Sequence, residues 1–159
     1  MSILDNEAVK RAEKSLKKFD QKLNVSILES SARTAKDAAI SLNCDVGAIV
    51  KSLLFKTENS YLLCLVAGDK RCSLSKLTKL TNKKKISMAA PEEVKTQTGY
   101  TIGGVSPVGH VNSVEILIDN SLKRFINLYA AAGHPNCVFK INFENLQKIT
   151  NGEIKEITE

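Results

Sequence analysis

The sequence predicts an α+β domain in which hairpins and helices share one mixed sheet. The most secure observation is a pair of strongly apolar runs, Ile49 to Phe55 and Tyr61 to Val66, joined by the polar stretch Lys56 to Ser60 in the manner of a hairpin. A second is that helical patterns fall irregularly between strand patterns, which argues against a doubly wound parallel sheet. The third is size. A chain of 159 residues, 43% of them hydrophobic, can bury a core as a single domain spanning residues 1–159. Aromatic residues are only 5% of the chain and Trp is absent, so the core is expected to consist of Ile, Leu, Val and Ala.

The opening segment places Val9, Ala12, Leu16 and Phe19 among Lys and Glu, the pattern of an amphipathic helix rather than a signal peptide. Val25 to Leu28 reads as a short strand. Thr34 and Asp37 have the spacing of a capping box and open a helix packed through Ala35, Ala38, Ala39 and Leu42. Ala67 to Arg71 is a Gly-containing loop before a helix around Ser73 to Leu80, with Leu74, Leu77 and Leu80 on one side, and Lys83 to Lys85 close that element. Ile86 to Met88 is a strand candidate. Pro91 with Glu92 and Glu93 starts a helix that Gly99 ends, because proline suits the first turn and acidic side chains suit the positive end of the helix dipole. A loop follows over Gly103 to Gly109, then a strand over Val114 to Ile118 and a short capped helix over Asp119 to Phe125. Strands at Leu128 to Ala131 and Val138 to Ile141 flank Gly133-His134-Pro135. Phe143 to Ile149 is a last amphipathic helix before a polar tail.

No stretch reaches the roughly 18 apolar residues that span a bilayer, and no membrane partner is expected. The four cysteines, Cys44, Cys64, Cys72 and Cys137, are scattered without a C-x-x-C pair. They read as reduced thiols of a cytoplasmic protein, neither a disulfide framework nor a zinc site. The formal charge of +6, from 23 Lys and Arg against 17 Asp and Glu, suits a polyanionic partner and equally suits simple solubility.

Metalloprotease, Walker, nucleophile-elbow and dinucleotide-binding motifs are all missing, and two histidines cannot make a His-rich metal site. Three features remain. The segment Gly103-Gly104-Val105-Ser106-Pro107-Val108-Gly109-His110 can expose several backbone N–H groups toward one point, or it is a plain tight turn. Lys51 interrupts the most hydrophobic strand, so its ammonium either faces solvent or meets an anion. His134 either lines a pocket or donates to a backbone carbonyl. Asp69-Lys70-Arg71 and Lys83-Lys84-Lys85 are solvated surface, with phosphate contact as the second reading.

Taken together, Ile49-Val50-Lys51-Ser52-Leu53, Gly99 to His110 and Ala131-Ala132-Gly133-His134-Pro135 resemble the YbaK family, which is related to the editing domain inserted in bacterial prolyl-tRNA synthetases. The resemblance runs from about Thr34 to Leu146. It implies a free-standing barrel-like mixed sheet flanked by helices that hydrolyses the ester of mischarged aminoacyl-tRNA without a metal or other cofactor. Lys51 would contact the 3′-terminal adenosine and its phosphate. Gly103, Gly104, Val105, Ser106 and Pro107 would supply backbone groups around the scissile carbonyl and the attacking water, assisted by the substrate's own 2′-hydroxyl. His134, Ile49 and Ser106 would line the amino-acid pocket, and the matching segments add Ser52, Gly133 and Thr34 as substrate-binding residues.

The implied partner is the acceptor end of an aminoacyl-tRNA, with prolyl-tRNA synthetase as a second candidate and a monomer as the default state. Family precedent favours a small residue, Ala, Cys, Ser or Thr, on proline tRNA. Arg33 and Val108 depart from residues common in the family, histidine and an aromatic respectively, and bear on amino-acid preference. The alternative on the same fold is a non-catalytic tRNA-binding or synthetase-associated module.

Overall fold

The computed structural model describes residues 2–29 and 34–159. Helix α1 (Glu7–Phe19) starts at Asn6, whose side chain accepts from the Ala8 and Val9 amides, and it buries Val9, Ala12 and Leu16. Phe19, expected on that buried stripe, is exposed. Strand β1 (Val25–Ile27) follows, then α2 (Ala35–Leu42). The Thr34 hydroxyl caps α2 by accepting from the Asp37 amide at 3.1 Å; of the capping box, that half is present.

Strands β2 (Ile49–Lys56) and β3 (Tyr61–Ala67) form the antiparallel hairpin that their composition predicts, in register from Val50 opposite Ala67 to Lys56 opposite Tyr61. They occupy the middle of an eight-stranded mixed sheet of order β1-β7-β6-β2-β3-β5-β8, with β4 (Ser87–Met88) also paired to β2. The remaining strands are β5 (Glu115–Asp119), β6 (Leu128–His134), β7 (Cys137–Ile141) and β8 (Glu153–Lys155). Pairs β2/β6, β3/β5 and β5/β8 are parallel, whereas β1/β7, β6/β7, β2/β3 and β2/β4 are antiparallel.

Strand β3 is buried along both faces, which is why it reads as an uninterrupted apolar run rather than an alternating one. Leu63 and Leu65 join the main cluster with Val9, Ala12 and Leu16 of α1, while Leu62, Cys64 and Val66 pack with Phe55, Leu77 and Ile157 on the opposite face. Helices α3 (Leu74–Thr81), α4 (Pro91–Thr98) and α5 (Phe143–Thr150) complete the layers. The expected Leu74, Leu77, Leu80 stripe reduces to Leu77, with Leu74 and Leu80 at 46% and 48% exposure. Residues three apart drift about 60° per step around a helix, so the outer two turn away from a narrow contact.

Two further expectations are corrected. Strand β6 runs through His134 instead of ending at Ala131, and an irregularity between Ala131 and His134 lets the hairpin to β7 close there. The polar tail is also structured. Beyond β8, Ile157 and Thr158 are buried and Cys72 bridges to Thr158. The short capped helix expected over Asp119 to Phe125 is present as a 3-10 helix over Asn120–Arg124, capped by Asp119.

Asp119 holds the tail in place. Its fully buried carboxylate accepts from the Ser121 amide (3.1 Å) and hydroxyl, the Ile157 amide (2.8 Å) and the Thr158 hydroxyl (3.2 Å). Removing it orphans a buried amide and a buried hydroxyl together. Asp119→Ala is therefore expected to cost about 2–4 kcal/mol in urea unfolding, with amide exchange accelerating first at residues 153–159.

Candidate active site

The sheet opens beside β2. The parallel ladder to β6 consists of Ile49 with Tyr129 and Val50 with Ala130 and then stops, and pairing to β4 resumes only at Phe55 with Met88. The intervening stretch borders a cavity of about 410 Å³, within the range of small-ligand sites. Residues 49–54 of β2 form one wall. Thr34, Ala35 and Ala38 of the α2 start form a second, and Ala89 and Val94 of the β4–α4 region a third. Ile102, Gly103 and Val105 close it from the glycine-rich loop, and Tyr129 to Ala131, Pro135 and Val138 from the β6–β7 hairpin. Met88 and Ile102, both about 60% exposed, leave an apolar rim.

The loop is fixed from behind. Arg11 of α1 donates from Nε to the Gly109 carbonyl (2.7 Å) and from Nη2 to the Gly99 carbonyl (2.8 Å), and its guanidinium lies 4.7 Å over the Tyr100 ring. The Tyr100 hydroxyl donates to the Val108 carbonyl at 2.7 Å, and burial pushes its pKa up to about 12, so it stays a donor. Val108 is buried in the main core and stands outside the cavity wall. The Gly104 amide donates to the Thr101 carbonyl and the Gly104 carbonyl accepts from the Gly133 amide, both at 3.0 Å. Gly104 is required there because a Cβ would stand 2.9–3.0 Å from the Gly133 and His134 backbone. Gly103, at φ +94° and exposed, sits at the cavity mouth in a conformation that disfavours other residues.

These contacts occupy the Gly104 amide but leave the Val105 and Ser106 amides without a protein acceptor among the described residues. Both residues are buried, and Val105 faces the cavity. Unpaired buried amides are rare and suit an oxyanion. Ser106 is wholly buried, its hydroxyl accepting from the Val108 amide at 3.4 Å.

Lys51 borders the cavity, but its Nζ donates to the Lys70 carbonyl at 2.6 Å. Burial lowers its pKa, partly offset by Asp69. Asp69 itself is held by a two-pronged pair with Arg124 at 2.9 and 2.7 Å. Of the other sequence candidates, Thr34, Ile49 and Ser52 line the cavity with Gly103 and Val105, whereas Gly104, Ser106, Pro107, Gly133 and His134 are not among its lining residues. His134 accepts the Asn136 amide on Nδ1 at 3.0 Å. Arg33 lies outside the described residues. Lys83, within the basic run, pairs with Glu115 at 3.3 Å. The neighbouring Cys64 and Cys72 thiols perturb one another, the pKa of the first being raised and that of the second lowered. Among the described residues, no three His, Cys, Asp or Glu side chains gather as metal ligands.

Sequence reasoning missed Arg11. Its signal was a lone arginine on the helix that carries Val9, Ala12 and Leu16, which says nothing about carbonyls some 90 residues away.

His110 Nε2 lies 2.7 Å from the Ser106 carbonyl, and burial holds its pKa below the ordinary histidine value. The unfolded chain therefore takes up this proton first. Stability from His110 is complete above the unfolded value near pH 6.5 and declines as pH falls through it. The melting temperature of His110→Asn is expected to depend less on pH than that of the parent between about pH 6.5 and 5. A parallel pair of curves would contradict this.

The aminoacyl-tRNA editing domain family model matches residues 29–149. The chain is 31% identical to the uncharacterised YwhH of Bacillus subtilis over 86% of this chain and 87% of that one. It is 31% identical to the proline–tRNA ligase of Fervidobacterium nodosum over 79% of this chain, which spans only 20% of the ligase. A crystal structure described as a candidate trans-editing enzyme for prolyl-tRNA synthetase superposes with a TM-score of 0.91 at 35% identity, covering 97% of this chain and 98% of that one. With its open-edged strand and clamped glycine loop, the chain belongs to the aminoacyl-tRNA editing domain family.

Proposed function

We propose that the chain hydrolyses the ester joining a wrongly attached small amino acid to the 3′-terminal adenosine of tRNA, with proline tRNA as the carrier. The observation that carries this reading is the pair of unspent amides, Val105 and Ser106, in a loop held rigid beside the cavity. The ligase and trans-editing relatives support the choice of substrate.

An aminoacyl ester is already activated, so positioning and charge stabilisation suffice without a protein nucleophile. Water adds to the carbonyl carbon, the negative charge that develops on its oxygen is received by the loop amides, and the ribose oxygen leaves with a proton. The vicinal ribose hydroxyl is placed to relay that proton. Lys51 keeps donors beyond the one spent on the Lys70 carbonyl and can meet the terminal phosphate. The exposed Met88 and Ile102 offer the adenine an apolar surface. Gly133 and His134 act as the backing for Gly104, and Ile49 and Thr34 as walls of the amino-acid pocket.

Selection of small residues has a physical motive. A synthetase pocket gains only about 1–3 kcal/mol per methylene and cannot exclude what is smaller than its own substrate.

The test is amino-acid release from proline tRNA charged with Ala, Cys, Ser, Thr or Pro. The parent is expected to release at least one small residue and to spare Pro. Lys51→Ala should slow release at least about tenfold by loss of a phosphate contact. Gly104→Ala should slow it about 10²-fold by displacing the loop amides. Binding of tRNA with no release of any residue would favour the non-catalytic module.

A further inference from the structure

The cavity is walled mainly by aliphatic side chains, and one buried side-chain hydrogen-bonding group in its wall is unspent. Ser52 Oγ is the one buried side-chain N or O atom without a partner among the described residues. An unpartnered buried hydroxyl destabilises a fold and calls for an explanation.

Strand parity locates it. The Ile49 carbonyl accepts from the Gly68 amide at 2.8 Å, so Ile49, Lys51, Leu53 and Phe55 direct their backbone groups toward β3. Val50, Ser52 and Leu54 direct theirs to the other edge, where Val50 pairs with β6 and the Leu54 carbonyl accepts from the Ala89 amide at 3.0 Å. Ser52 lies between them, where the edge is open. On the side-chain face, Val50 and Leu54 pack with Ala89, Val94, Val105 and Ala130, so Ser52 places a hydroxyl among apolar neighbours across from the loop.

We infer that Ser52 is a specificity-determining residue that hydrogen-bonds an uncharged polar group on the amino-acid side chain, so that the preferred esters carry a short hydroxyl or thiol, as in Ser, Thr and Cys, over Ala. This rests on the deacylase reading above. A charged side chain is disfavoured beside Ser52 because Val50, Leu54, Val105 and Ala130 on that face offer it no counter-charge. Ala would leave Ser52 unpaired, and a site built around a hydrogen bond discriminates against the ligand that lacks it.

The experiment compares kcat/KM for Ser, Thr, Cys and Ala esters of proline tRNA in the parent, Ser52→Ala and Ser52→Thr, together with melting temperatures. The parent is expected to prefer at least one hydroxyl or thiol ester over Ala. Ser52→Ala should lose about tenfold of that preference while melting at or above the parent temperature, since it deletes an unpaired group. Ser52→Thr, which keeps the hydroxyl, should retain the preference. An equal fall for all four esters in Ser52→Ala, or a parent that releases Ala fastest, would overturn the inference and leave the deacylase reading intact. Release of no residue from any ester would overturn both.

Discussion

Strand β2 is paired along its full length on one edge and only at its ends on the other. On the β3 side it makes a seven-residue antiparallel ladder, and on the opposite side two residues pair with β6 and two with β4. The closed edge anchors β2 in the centre of the sheet, where Leu54 and Phe55 are buried on opposite faces. The open edge makes room for a cavity without exposing the core. A backbone edge left unpaired is normally a liability in a sheet. Here it is walled by α2, by the β4–α4 connection and by the glycine-rich loop, so the edge meets a cavity of defined shape rather than bulk water.

The loop depends on the same arrangement. It contains no regular secondary structure, so its backbone is shaped by tertiary contacts: Arg11 on the Gly99 and Gly109 carbonyls, Tyr100 on Val108, and Gly133 on Gly104. Helix α1, which supplies Arg11, precedes the segment covered by the family match. The amides of Val105 and Ser106 stay unspent because the neighbouring polar groups satisfy one another. Pre-organised donors of this kind need no reorganisation to receive a negative charge, which is where electrostatic stabilisation gains most.

Much of this fold was legible because its central elements obey simple patterns. The β2–β3 hairpin, the Thr34 and Pro91 helix starts and the Gly99 stop all follow local chemistry and stand where the sequence places them. What was not legible depends on distant partners. Glu153–Lys155 is too short and polar to read as a strand and becomes one by pairing with β5. Leu74 and Leu80 have the hydrophobicity of core residues, but Leu77 is the one residue of α3 that is buried. For the site, glycine content and the odd lysine in a strand pointed to two segments that border one cavity. That Ser52 would be unpartnered, or that Arg11 would hold the loop, follows from strand parity and tertiary placement, which a one-dimensional pattern does not carry.

The most direct measurement is an amide chemical-shift titration with an amide-linked analogue of 3′-seryl-adenosine, which cannot be hydrolysed. The largest perturbations are expected at Gly103 to Ser106 and at Lys51 to Leu53, on the two sides of the opening beside β2. Saturable perturbations confined to another surface, such as the shallow concavity around Lys36, Ile40 and Val46, would contradict it.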